Sequence, residues 1–259
     1  MSITIINDCA DANAASRQST RVSTLLREPV HYVAVGNDLE AAGNLIDALD
    51  AAEGRAATIL VNVAPRHGEA KKWANGTPFC YFKYHDSLVV SSVDGRTLSL
   101  VKKFGLADAV CLLDIPTAGK ELVDRGVISS ETYDHLVDTQ FRSFDFTPRV
   151  AAFVREHGEL VHERHSLENI SDAPRVIWWI DNFGNCKTTL TEQDVDVSGG
   201  TVTLPWGTFP YYRRLKDVPN HTAAVVTGSS GINGHRFLEF VVQGEHAAKK
   251  FNLMSGMEA

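Results

Sequence analysis

Apolar residues along the first 64 positions arrive in two alternating rhythms. Residues 2-SITII-6, 30-VHYVAV-35 and 57-ATILVNV-63 are short β-rich runs. Between them, 14-AASRQSTRVSTLL-26 and 39-LEAAGNLIDALDAAEG-54 place apolar side chains at helical spacing. Val22, Leu25 and Leu26 share a face of the first helix, and Leu39, Ala42, Leu45, Ile46 and Leu49 share one of the second. Gly36-Asn37-Asp38 supplies a turn and an N-cap, and Gly54 suits a C-cap. The run 57-ATILVNV-63 is almost uninterrupted, as in strands buried on both faces of a parallel sheet. Strand–helix–strand–helix–strand predicts an α/β N-terminal domain with a mostly parallel sheet.

The rhythm then changes. After the helix-like 146-FTPRVAAFVREHGEL-160, a charged, His-rich stretch runs to Pro174. Residues 161–174 are therefore expected to be a linker closing a domain of residues 1–160. Beyond it come short β-rich runs: 175-RVIWWID-181, 187-KTTLT-191, 201-TVTLPW-206, 222-TAAVVTG-228 and 236-RFLEFVV-242. They are separated by Gly, Pro and Asn clusters, which predicts a small all-β barrel or sandwich over 175–259.

Charge narrows the partners. Twenty-five basic against 32 acidic residues give a net charge of -7, with no basic excess to follow a nucleic-acid backbone. The apolar runs fall far short of the roughly 20 residues that span a bilayer, so no membrane partner is expected. The N-terminus lacks the basic region of a signal peptide. Cys9, Cys80, Cys111 and Cys186 are scattered with no CxxC pair, which suits a reduced cytoplasmic protein. His157, His162 and His165 fit a solvated linker better than a metal site, and no metal is expected. No GxGxxG, P-loop, GxSxG or HExxH occurs.

Three places concentrate candidate chemistry. In 180-IDNFGNCKT-188 an apolar strand delivers Asp181 into a turn with Gly184 and Asn185. A carboxylate there can hold an ammonium, and an amide can pair with an adenine edge; a structural Asx-turn fits as well. In 227-TGSSGINGHRFLEF-240, Ser229 and Ser230 can donate to an anion from a glycine-rich loop between strands, or the loop is simply flexible. Asp8 ends the first strand, where ligands of open α/β sheets bind and an aspartate accepts from ribose hydroxyls; it also fits an N-cap. The segment 64-APRHGEAKK-72 follows the third strand, at another ligand-facing end. Tyr211 and Tyr212 in 206-WGTFPYYRR-214 suit either core packing or stacking on a planar ring.

Together these pieces resemble the S-adenosylmethionine hydroxide adenosyltransferases, relatives of the fluorinase and chlorinase enzymes. The stretch 180-IDNFGNCKTTL-190 is similar to the family's Asp-x-(x)-Phe-Gly-Asn-x-x-Thr-Asn signature. The stretches 228-GSSG-231 and 237-FLEFVVQGEHAAKKFNLMSG-256 resemble its C-terminal ending, with 232-INGHR-236 as an apparent insertion. Residues 92-SVDGRTLSLV-101 resemble its Pro-Asp-Asn-Gly-Leu-Leu block. The resemblance implies that Asp8 holds ribose hydroxyls, Asp181 the methionine ammonium, Asn185 the adenine, and Ser229 with Ser230 the methionine carboxylate. It also implies a homotrimer with intersubunit sites, needing no cofactor beyond S-adenosylmethionine as substrate or ligand. The reaction implied is displacement of methionine at ribose C5′ by water.

The chain departs from that pattern where the family activates water. Ala64 stands at the aspartate, Lys71 at the arginine and Phe141 at the histidine of the usual triad. Alanine can neither take a proton nor orient a water. His67 as base, with Arg66 and Lys71 (or Arg142) fixing an anion, are the nearby substitutes. The expected activity is cleavage of S-adenosylmethionine with altered catalytic residues. The alternatives are a non-catalytic adenosyl sensor or transfer to another nucleophile.

Overall fold

A computed structural model describes residues 1–64 and 77–259. The chain divides into two compact units, Met1–Ser171 and Asp172–Ala259. Arg66, His67 and Lys71 lie outside the described residues.

In the first unit, β1 (Ser2–Asn7) is flanked by β2 (Val30–Ala34) and β3 (Ala57–Asn62), and β3 by β5 (Ser87–Ser92), all parallel. The sheet continues antiparallel through β4 (Phe79–Tyr84), β6 (Ala109–Leu113) and β7 (Glu163–Ser166), in the order β2-β1-β3-β5-β4-β6-β7. Five of the seven strands thus point the same way, because β4 and β7 alone are reversed. Ile3, Ile5, Leu60, Leu88 and Val90 turn one face towards α1 (Ala12–Leu26) and α7 (Thr147–His157). Against them pack Val22 and Leu26 of α1 and Val150, Phe153 and Val154 of α7. α2 (Asp38–Ala52) packs on β1, β3 and α3 (Ser99–Lys103). α4 (Ile115–Asp124), α5 (Ser130–Asp138) and α6 (Arg142–Asp145) complete the unit.

The expected linker needs correction. Residues 163–166 form β7, whose Ala109↔Ser166 to Leu112↔Glu163 register makes it the sheet's edge. Charged side chains are typical of an edge strand exposed to water, so its sequence lacked the apolar signature of a strand. The histidines are structural neighbours of the sheet. His162 packs edge-on against Tyr81, and its Nδ1 lies 2.9 Å from Leu160 O.

The second unit is a curled six-stranded sheet, ordered β10-β11-β12-β13-β9-β8. Its strands are β8 (Ile177–Ile180), β9 (Cys186–Thr191), β10 (Thr201–Leu204), β11 (Gly207–Tyr212), β12 (Ala223–Ile232) and β13 (His235–Val242), followed by α8 (Ala247–Phe251). Ile177, Cys186, Leu190, Val225, Leu238 and Phe240 form its core. Phe209 and Phe251 pack edge-on against Phe240, with ring centroids 4.7 and 4.9 Å away. The all-β reading of this half holds. β11 falls in 206-WGTFPYYRR-214, read from sequence as core packing or ring stacking and not as a strand; its Pro210 cannot donate to a ladder. Among the described residues, no helix is long and apolar enough to cross a membrane.

Candidate functional site

Asp8 follows β1 at the carboxyl edge of the parallel strands. Its N–H donates to Asn62 O at 3.2 Å, and its Oδ2 accepts from the Ala64 N–H at 3.2 Å. The N-cap reading of Asp8 is overturned: Asp11 caps α1, accepting from the N–H groups of Asn13 and Ala14. Asp8 is thus tied to the chain leaving β3, in the crevice where open α/β sheets hold ligands.

A buried polar relay that sequence reading missed supports this edge. Asn7 Nδ2 donates to Gln18 Oε1 at 2.9 Å, Gln18 Nε2 to Tyr32 Oη at 3.1 Å, and Tyr32 Oη to Cys9 O at 2.8 Å. Asn7 Oδ1 accepts from the Cys9 N–H at 2.9 Å. Burial, then the nearby Cys9, Asp8 and Asp11, pushes the Tyr32 phenol well above its ordinary value, so it stays a donor. The signal was present in the sequence. Gln18 precedes Val22 and Leu26 by one and two helical steps, a polar residue on an otherwise apolar stripe.

Ser143 lines a narrow cleft with Asn7, Gln18 and Asn62, which brings the start of α6 to the same edge. Phe141 stacks on Phe144 at 5.4 Å, and Arg17 lies over both rings. The half-buried Arg142 has no acidic partner among the described residues, and burial lowers its pKa.

In the second unit, the Asp181 corner links β8 to β9. Asp181 Oδ1 accepts from the N–H groups of Phe183 and Asn185, both at 2.9 Å, and Oδ2 accepts from Asn185 Nδ2 at 3.0 Å. The Asx-turn therefore exists, and it also fixes the amide. Among the described residues, Asn185 Oδ1 and the second Nδ2 proton have no hydrogen-bond partner, so they can pair with another group. Gly184 has φ +88, and a Cβ there would run into the His246 ring at Nδ1. Only glycine lets the turn and the start of α8 approach so closely. Phe183 is 71 % exposed. It lines an open cleft of about 560 Å³ with Asn185, Gln243, Gly244, Glu245 and His246. An exposed ring beside a fixed amide can stack and read a planar heterocycle.

The serine motif is not the loop expected from sequence. Ser229 and Ser230 lie within β12, and the turn is Asn233-Gly234, with φ of 53° and 77°. A register shift between Thr227 and Gly231 bulges the strand, which explains why this glycine-rich segment reads as a loop. Ser229 is exposed, and its carbonyl accepts from Arg236 Nη1 at 2.9 Å. Ser230 is 5 % exposed, and its Oγ accepts from Lys187 Nζ at 3.2 Å. Gly228 leaves room for Glu239, whose Oε1 would collide with a Cβ there. Lys187, directly opposite Glu239 on β13, is a candidate site residue that sequence reading missed. It stands two positions after Asn185 and brings positive charge to Ser230.

No family model and no curated protein matches the chain. Solved structures do share its fold. One is an uncharacterized conserved protein from Thermotoga maritima, 16% identical, with a TM-score of 0.70 over 98% of this chain and 97% of that one. Another is a conserved hypothetical protein from Thermus thermophilus, 19% identical, with a TM-score of 0.57 and the same coverage. At these identities the likeness concerns the fold alone.

Proposed function

We propose that the chain binds S-adenosylmethionine through its adenosyl group and cleaves it at ribose C5′. Water oxygen bonds to C5′ while the C5′–S bond breaks. The electron pair leaves with the thioether of methionine, and the proton passes to solvent. The observation that carries the reading is the Phe183–Asn185 corner, an exposed ring and a fixed amide lining one cleft. Asp8, at the carboxyl edge of a parallel sheet, supports ribose binding. Lys187 beside Ser230 supports a carboxylate subsite. Asp181 uses three acceptor positions on its own turn, which leaves about one lone pair for an ammonium. The roles given to His67, Arg66 and Lys71 rest on sequence alone. So do the homotrimer and the reducing, cytoplasmic setting.

A binding-only sensor is the second reading. It is favoured by Ala64, which offers Asp8 a backbone N–H where an acid would serve a water nucleophile. Calorimetry with adenosine and with S-adenosylmethionine tests binding; no heat from either removes both readings. Prolonged incubation followed by chromatography separates them. Adenosine that appears with wild type and not with His67→Ala supports cleavage, while intact ligand supports the sensor.

A further inference from the structure

A second cavity opens at the opposite, amino ends of the strands in the first unit. It measures about 310 Å³ and lies between the starts of β3 and β5 and the last turns of α1 and α7. Its walls are mainly Leu26, Ala57, Leu88, Ala152 and Val154. Two polar groups in this apolar lining are buried without hydrogen bonds: Thr58 Oγ1 and Arg155 Nη1. Thr58 is 0 % exposed and shares a sheet face with Leu60. The Arg155 side chain is 19 % exposed, and its Nη2 forms an ion pair with Glu28 Oε1 at 3.6 Å, beyond hydrogen-bond distance, which leaves Nη1 directed elsewhere. Lys83, which also lines the cavity, is exposed and has no carboxylate within ion-pair distance among the described residues.

Polar groups in an apolar lining are natural partners for a polar ligand group entering the cavity. A guanidinium N–H from α7, a hydroxyl from β3 and an ammonium from β4 line the same cavity and together suit a carboxylate. The lining also carries Asp86 and Glu156, which disfavour a plain anion and suit a cationic group beside that carboxylate. The apolar walls suit a short hydrocarbon side chain, in a volume at the lower end of the roughly 300–1,000 Å³ of small-molecule sites. We propose that this cavity binds a small aliphatic α-amino acid: its carboxylate on Arg155, Thr58 and Lys83, its ammonium towards Asp86 and Glu156. The site is independent of the adenosyl reading and lies at the sheet edge opposite the one that holds Asp8.

The test is saturation-transfer NMR and thermal shift on the full chain, with L-leucine, 4-methylpentanoate (no ammonium) and L-leucinamide (no carboxylate). L-Leucine is expected to bind, and each analogue to bind about tenfold more weakly or worse, as loss of a charged partner implies. Arg155→Met and Lys83→Met should weaken L-leucine binding, and Thr58→Val should weaken it several-fold. Absence of L-leucine binding at tens of millimolar overturns the proposal, as do equal affinities for all three compounds. Circular dichroism reports whether Arg155→Met folds. If it does not, unchanged L-leucine affinity in both Lys83→Met and Thr58→Val overturns the assignment.

Discussion

Lys187 Nζ lies 3.2 Å from Ser230 Oγ, reaching from β9 past β13 to the bulge of β12. This contact joins two motifs that stand 43 positions apart in sequence. It places an ammonium beside the serines, directly opposite Glu239 on β13. Lys187→Met, combined with Glu239→Gln to avoid stranding a buried acid, should weaken S-adenosylmethionine binding by about 1.5–3 kcal/mol. Adenosine, which has no carboxylate, should keep its affinity. Calorimetry with both ligands checks this; an equal loss for the two places Lys187 outside the carboxylate subsite.

Phe183 separates binding from folding. Its ring is exposed, so Phe183→Ala should change stability by no more than about 0.5 kcal/mol. Loss of a stacking surface should nonetheless weaken adenosine by about 1–3 kcal/mol. Denaturant titration and calorimetry on the same variant decide the matter, and an unaltered affinity removes the adenine reading of this corner.

Gly184 is where the corner tolerates least. Gly184→Ala forces a side chain into positive φ and into the His246 ring. A loss of about 1–3 kcal/mol of stability is expected from the strain alone. Chemical denaturation measures it, and a neutral outcome contradicts the close approach of the turn to α8.

The relay behind Asp8 should be costly to break. Gln18→Ala leaves Asn7 Nδ2 without its acceptor and Tyr32 Oη without its donor, both in buried or half-buried positions. At about 1–3 kcal/mol for each stranded group, a loss of about 2–6 kcal/mol follows. Gln18→Glu restores an acceptor for Asn7 and should recover part of it. Urea unfolding of the pair of variants tests the relay.

The Cys186 thiol gives a pH test. Burial first, then the nearby Asp181 and Glu239, pushes its pKa up to about 12 from an ordinary value of 9.0. The folded state therefore keeps the proton that the unfolded chain releases. This contribution to stability is full below pH 9 and is lost as the pH rises towards 12. At pH 8 native Cys186 should resist iodoacetamide, while the half-exposed Cys9 is modified. Mass mapping of the labelled native protein reads this directly.

Much of this architecture was legible because local chemistry and fold agree. The run 57-ATILVNV-63 announces a strand buried on both faces, and Leu39 to Leu49 announce a helix with one apolar side. β7 was illegible because Glu163 and Arg164 are exposed and His165 only half-buried at an edge, where no apolar alternation is required. The GSSG segment misled for a different reason. Its glycines serve close packing, Gly228 against Glu239 and Gly231 against the His235 carbonyl, in a strand that reads as a loop. At the site, Asp181 and Asn185 were visible as residue types, yet their mutual hydrogen bonds were not. Lys187 was passed over because a lysine in a strand shows nothing of its reach until the neighbouring strands are placed.

One pairing bears on how the second unit assembles. β11 lies parallel to β12, through Tyr211↔Val225 and Tyr212↔Val226, with only residues 213–222 between them. β12 and β13, by contrast, close through the two-residue Asn233-Gly234 turn. Hairpins of that kind form in about 1–10 μs, whereas a parallel partner must swing round a crossover before it gains a contact. The β10–β11 ribbon is thus expected to dock late and to limit the rate of refolding. Substitutions at Phe209, whose ring meets Phe240 only after that docking, should speed unfolding far more than they slow folding.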